Sequence, residues 1–240
     1  MFVFLFLYHM QPLRELENRL NLTFKNLNLI TQAFVHRSYL NENPGFALGH
    51  NERLEFLGDA VLELIVTEHL FTAYPEEPEG VLTNWRASLV NANILAKVGY
   101  ALDLEQYLYL SKGESKDVQS KARNYILANT VEALIGAIYL DQGIAGASLL
   151  VHHHVLTELP HILENKLYQD PKSRFQELAQ EKMGITPSYR VMDETGPDHD
   201  KQFTIGVYVH DECIGTGVGQ SKQEAQVAAA QEALKNRGWE

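Results

Sequence analysis

Apolar residues recur at helical spacing through the first two thirds of the chain, and strand-like alternation begins only beyond residue 186. Leu13, Leu16 and Leu20 open a short helix, and residues 29–36 read as a second one after an Asn-rich turn. A long helix is expected from Asn51 to about Ala73, ended by Pro75-Glu76-Glu77-Pro78-Glu79-Gly80. Helices over 81–99 and 102–110 follow, then a loop at 112–116. The next helix, over 119–140, is apolar almost all round in its second half and is therefore expected to be buried. A last helix ends near Lys166.

The pattern then changes. Residues 172–183 read as a helix, 187–193, 202–210 and 212–219 as strands, and 221–237 as an alanine-rich helix. This αβββα order predicts an α+β module with its helices on one face of an antiparallel sheet. Two domains are expected, an all-α one over 10–167 and the α+β one over 170–238. The opening Met1 to His9 is apolar, but it is too short to span a bilayer and lacks both a basic flank and a cleavage site. No membrane association is expected, and Met10, just before the helical pattern, is the expected start.

On the helix that starts at Asn51, Glu52, Glu55, Asp59 and Glu63 fall within an arc of roughly 80° at about 100° per residue. Leu54, Leu57, Val61, Leu64 and Ile65 fall opposite, while Phe56 and Leu62 flank the acidic stripe. No Lys or Arg stands at the following i+4 positions, so like charges face one another. Such a stripe is either a solvated face or a cation site. With oxygen donors only, Mg²⁺ is the expected ion and Mn²⁺ a substitute. Glu132 lies within the apolar run of the buried helix, where a carboxylate is protonated, paired or metal-bound. Asn129, at i−3 on the same face, offers another oxygen. The run His152-His153-His154 is expected to be a surface feature, because consecutive helical residues point in different directions.

The chain has 240 residues, a net charge of −11 and a single cysteine. One cysteine excludes a disulfide framework and a Cys-rich zinc site, and it fits a reducing, cytoplasmic setting. Residues 1–169 carry 12 basic and 19 acidic side chains, and residues 170–240 carry 8 and 12, giving −7 and −4. Contact with a polyanion would therefore rest on local cations and helix N-termini, not on overall charge.

The ungapped run Asn51-Glu52-Arg53-Leu54-Glu55-Phe56-Leu57-Gly58-Asp59 resembles the signature of the ribonuclease III family of double-strand-specific RNA endonucleases. Residues 32–39 and Arg86-Ala87-Ser88-Leu89-Val90 match further segments of that family. From Asp170 the chain resembles the double-stranded-RNA-binding domain, through residues 170–178, Gly215-Thr216-Gly217 and residues 221–230. The resemblance implies an all-α endonuclease domain followed by an αβββα RNA-binding domain. It implies a metal core of Glu55, Asp59, residue 129 and Glu132, with Asp59 and Glu132 catalytic and Glu52 and Glu79 as supporting acids. It further implies a homodimer with Phe56 at the contact, unless Phe56 is an ordinary core residue, and RNA contacts at Gln176, Glu177, His199 and Lys222. The implied activity is metal-assisted hydrolysis of double-stranded RNA in the processing of rRNA and mRNA precursors. Two departures stand out: Asn129 replaces the usual aspartate, and Gln223 and Gln226 stand where basic residues are common. The first leaves a second reading open, a catalytically silent RNA-binding dimer.

Overall fold

The computed structural model describes residues 13–117, 120–197 and 201–239, so Met1 to Met10 lie outside it. The chain divides between Tyr168 and Gln169 into two compact units. In the first, residues 13–20 form α1. There follow α2 (Leu27–Ala33), α3 (Arg37–Glu42), α4 (Glu52–Ala73), α5 (Glu79–Leu89), α6 (Ala92–Ala101), α7 (Lys121–Leu150) and α8 (Leu159–Glu164).

Three expected elements come out differently. The helix expected over 81–99 is split in two, because the Asn91 side chain accepts the N–H groups of Asn93 and Ile94 and so starts α6 afresh. In place of a helix over 102–110 there is a single 3₁₀ turn, Leu104–Tyr107. Beyond it Tyr109 runs extended and bridges to Val35. Finally, α7 continues to Leu150 with a break at Gly143, whose φ of 75° suits glycine. At that bend the Asp141 carboxylate accepts the N–H groups of Lys25 and Asn26 at 2.9 and 2.8 Å, holding the start of α2.

By length and composition the stretch Lys121–Glu164 could cross a membrane. Packing explains its apolarity instead: α7 lies against α4, α6 and α2, with Leu127, Val131, Leu134 and Ile135 fully buried. The tightest contact is with α4. A Cβ placed on Gly58 would lie 1.7 Å from the Glu132 carbonyl oxygen, and one on Gly136 would lie 2.3 Å from that of Leu54. Two glycines, each four residues beyond the carbonyl met by the other, let the two helix backbones touch.

The second unit comprises α9 (Pro171–Met183), β1 (Ser188–Thr195), β2 (Gln202–Val209), β3 (Glu212–Gly219) and α10 (Lys222–Arg237). The sheet is antiparallel in the order β1-β2-β3. Phe175 fills its core together with Val207, Val209, Ile214 and the buried alanines of α10. The same close approach recurs here. A Cβ on Gly215, Gly217 or Gly219 would lie within 2.2–2.6 Å of the backbone nitrogens of Ala233, Ala229 and Ala225. Strand glycines at i, i+2, i+4 thus meet helix alanines at i, i+4, i+8, which accounts for the composition of both elements.

Gly58→Ala is expected to destabilise the protein. An alanine gains about 1 kcal/mol of helix propensity, but the atom it meets is main chain, and overpacking of this kind costs about 1–3 kcal/mol or more. The melting temperature should fall by several degrees, at about 2–4 °C per kcal/mol for a chain of this size. Gly80→Ala, whose Cβ would meet nothing within 4 Å, serves as the control and should melt no lower than the parent. If the two variants have equal melting temperatures, the crossing does not depend on Gly58.

Candidate active site

The acidic stripe of α4 lies beside its crossing with α7. Asp59 follows Gly58, Glu55 follows Leu54, and Glu132 is the residue whose carbonyl faces Gly58. Glu55 and Glu132 are half-buried, whereas Glu52, Asp59 and Glu63 are exposed. The Glu132 carboxyl is pushed up to about 7, first by burial, then by the charges of Asp59 and Glu55. Glu55 is raised by burial, then by Glu52 and Asp59, while a hydrogen bond from Asn129 pulls it down. Four residues from two helices thus share one electrostatic site: Glu55, Asp59, Asn129 and Glu132.

The donor set is entirely oxygen, and its buried member holds its proton nearly to neutrality for want of positive charge. That chemistry fits a hard divalent cation. Among the described residues, no three His, Cys, Asp or Glu side chains converge within metal-holding distance of one another. The coupling here is one of charge rather than of a closed coordination shell.

Glu52 faces two side chains, one of them a cation, that the i+4 pattern does not reveal. Arg37 Nη1 lies 3.4 Å from Glu52 Oε1, and His50 Nδ1 lies 3.6 Å from Oε2. The backbone fixes both. Asn51 N–H bonds Val35 O at 2.9 Å, Tyr109 N–H bonds Phe34 O at 2.9 Å, and His36 N–H bonds Tyr109 O at 3.1 Å. The buried Asn51 side chain donates to Ala33 O at 3.1 Å, so it anchors α4 without capping it. Glu79 lies apart from the four, at the start of α5. It lines a cleft of about 470 Å³ with Phe71, Tyr74, Leu82 and Arg86.

Phe56 is 82% exposed, which rules out a core role, and Leu64, expected on the buried face, is 59% exposed. With Phe71, at 72%, they form an apolar strip along α4 next to the acidic stripe. Elsewhere the His69 and His152 rings stand edge to face at 5.4 Å, and His153 Nδ1 lies 2.8 Å from Leu149 O. In the second unit Gln176 and Glu177 are exposed on α9. Lys222 is exposed on the first turn of α10, its Nζ 5.6 Å from the Phe203 ring centre. His199 lies outside the described residues.

Comparisons with known proteins find relatives of both units. A Ribonuclease-III-like family model matches residues 26–159, and a double-stranded RNA binding motif matches residues 171–237. Ribonuclease 3 of Desulforamulus reducens is 45% identical over 226 residues, covering 92% of this chain and 90% of that protein. Ribonuclease 3 of Enterococcus faecalis is 40% identical over 223 residues, covering 92% and 96%. Among solved structures, one of the nuclease domain of Campylobacter jejuni ribonuclease III concerns flexibility in the region involved in dimer formation. It has a TM-score of 0.53 at 36% identity and covers 60% of this chain and 96% of that one.

The raised Glu132 carboxyl makes stability depend on pH when no cation is present. Unfolded, this group titrates near 4.5, and folded, near 7. Below the lower value both states hold the proton and the group has no effect. Between the two the unfolded chain ionises first, so stability is lost as pH rises, and the loss is complete above about 7. Burial lowers His36, His69 and His154, which act in the opposite sense as pH rises towards 6.5. The diagnostic is therefore a difference between variants. In EDTA, Glu132→Gln should melt close to the parent near pH 4.5 and clearly above it at pH 8. A difference that does not change with pH would show that folding leaves the Glu132 carboxyl unshifted.

Proposed function

The chain belongs to the ribonuclease III family and is an endoribonuclease of double-stranded RNA, and we propose that it works as a Mg²⁺-dependent homodimer in the cytoplasm, processing rRNA and mRNA precursors. We assign hydrolysis to residues 10–167 and duplex binding to residues 170–238. The observation that carries the metal reading is Glu132: a carboxyl that burial and two neighbouring acids hold up to about 7 at a helix crossing is a place prepared for positive charge.

In this reading Glu55, Asp59 and Glu132 would hold Mg²⁺ through carboxylate oxygens, and Asn129 through its amide oxygen. Bound there, the ion supplies a water of lowered pKa and polarises the phosphate. The chain's own residues do the rest. The Asn129 amide favours the ionised form of Glu55. Asp59 is exposed beside Gly58, and Glu132, which holds its proton until near neutral pH without a cation, would give it up as the ion is taken up. Water adds to phosphorus as the bond to the 3′ oxygen breaks, leaving a 5′-phosphate and a 3′-hydroxyl. Asn129 lowers the charge of the set by one unit relative to the usual aspartate, which weakens cation affinity and preserves an oxygen donor.

The apolar strip supports the homodimer. A two-fold axis near residues 63–64 would set two α4 helices antiparallel, and Phe56 and Phe71 lie about 22 Å apart along the helix, one on each side of that axis. Phe56 of each subunit then meets the Phe71 cleft of the other, in an isologous contact. That cleft is lined by Glu79, so dimerisation would carry Glu79 towards the partner's Glu55. This accounts for a supporting acid that stands apart from the four within one subunit.

Cleavage of a labelled duplex over a Mg²⁺ titration tests the metal reading. Glu132→Gln should lose several kcal/mol of transition-state stabilisation and retain duplex binding. Asn129→Asp should reach half-maximal rate at lower Mg²⁺. Mg²⁺ should also raise the melting temperature of the parent more than that of Glu132→Gln. Cutting by Glu132→Gln within about tenfold of the parent, ~1.4 kcal/mol, would place Glu132 outside the site, and no cutting by any form would favour the silent binding dimer. For assembly, Phe56→Asp should sediment as a monomer; a dimer of unchanged affinity would put the interface elsewhere.

A further inference from the structure

The last helix of the second unit carries fewer cations than such modules often do, with Lys222 followed by Gln223 and Gln226. A neighbouring helix supplies what the sequence of α10 lacks. Lys172, in the first turn of α9, donates from Nζ to Gln226 Oε1 at 2.7 Å, and its ammonium lies 5.2 Å from the centre of the Tyr189 ring. Both partners are neutral, and among the described residues Lys172 forms no ion pair. Three other cations of this unit are compensated by carboxylates: Arg190 by Asp211, Lys201 by Glu194 and Arg237 by Glu212.

Helical spacing makes this contact part of a continuous band. Gln176, exposed on α9, stands four residues after Lys172, and Lys222 stands four before Gln226 on α10, so each pair shares a helix face. The order Gln176, Lys172, Gln226, Lys222 therefore runs across two helices and ends at the α10 N-terminus. There Ser221 Oγ caps the helix by accepting from Glu224 N at 3.2 Å, and the Glu224 carboxylate, folded back over this end, accepts from Gln220 N just outside the helix at 3.1 Å. With a carboxylate on that end, bare helix polarity is a poor anion site, and the side-chain cations matter more.

We propose that Lys172 is a phosphate-contacting residue of the duplex grip, placed by Gln226 and Tyr189 at the position a basic residue would otherwise occupy on α10. This rests on the second unit being the RNA-binding module. The ligand is the phosphate backbone of an RNA duplex, and the contact carries no sequence information.

The test is duplex affinity against salt for the full-length protein in EDTA, with a labelled RNA longer than the ~16 base pairs such a module spans. Lys222→Ala is the reference and should reduce the slope of log K against log salt by about one. Lys172→Gln should reduce it equally, and Lys172→Arg should leave it unchanged. Adding Gln226→Lys to Lys172→Gln should restore the slope by moving the charge from α9 to α10, a rescue that a residue merely stitching the helices together would not allow. Melting temperatures taken alongside separate folding losses from charge losses. If Lys222→Ala flattens the slope and Lys172→Gln does not, Lys172 is no phosphate contact. If the Gln226→Lys addition restores nothing in a protein of unchanged melting temperature, the band across α9 and α10 is not the grip. If neither Lys222→Ala nor Lys172→Gln alters the slope, it is the RNA-binding assignment of the whole unit that fails.

Discussion

The contact on which the rest depends is main chain against main chain, where Gly58 of α4 meets the Glu132 carbonyl of α7 and Gly136 meets that of Leu54. Side chains normally hold packed helices 8–10 Å apart, and removing two Cβ atoms closes that gap at one place. Carboxylates on adjoining residues are then brought close enough to feel one another's charge. Glycine in the middle of a helix is costly, by roughly 0.5–1 kcal/mol relative to alanine, and here the cost occurs where the acidic residues must meet. The apolar bulk of α7 follows from the same contact, since a helix pressed so closely between neighbours is buried on nearly every face.

Packing that draws acids together also builds repulsion, and the surroundings relieve only part of it. Arg37 and His50 face Glu52 at the N-terminal end of the stripe, and the Asn129 amide lowers the Glu55 carboxyl. The burden falls on Glu132, the member with least access to water, whose carboxyl stays protonated almost to neutral pH. A lone buried acid would show the same direction of shift from desolvation alone. The contributions of Asp59 and Glu55 are what distinguish a shared site from an isolated core carboxyl.

Much of this was legible beforehand, for reasons that differ from residue to residue. The face of α4 that carries Glu52, Glu55 and Asp59 follows from a 3.6-residue period, and the burial around Glu132 follows from an unbroken apolar run. The αβββα order followed from a change of period near residue 170. What escaped were contacts between elements remote in sequence. Arg37 comes to Glu52 only because three segments, at residues 34–36, 51 and 109, are laced by backbone hydrogen bonds. Leu64 has the period of a core residue, yet it is exposed because the core lies to one side of that arc. The split at Asn91 was readable in principle, since an Asn two and three residues before free N–H groups is a cap, but continuous apolar spacing masked it. Gly58 and Gly136 were visible as helix-weakening residues inside strong helices, a conflict that marks close approach. Their partners could be known only from the fold.

The charge of the chain links the site's two ligands. The first unit carries −7 and the second −4, so a duplex approaching the acidic face meets like charge along with the few cations that grip it. A divalent ion at Glu55, Asp59 and Glu132, bound as proposed, changes that balance twice. It neutralises carboxylates that repel the phosphates, and it offers the phosphates an attractive centre. Whatever the ion adds to the affinity for RNA, the RNA must add to the affinity for the ion, because the coupling between two bound ligands is reciprocal. Asn129 fits this arrangement. On the proposed reading, a site one charge short would hold its ion less firmly alone and would lean more on the phosphate oxygens of a bound strand.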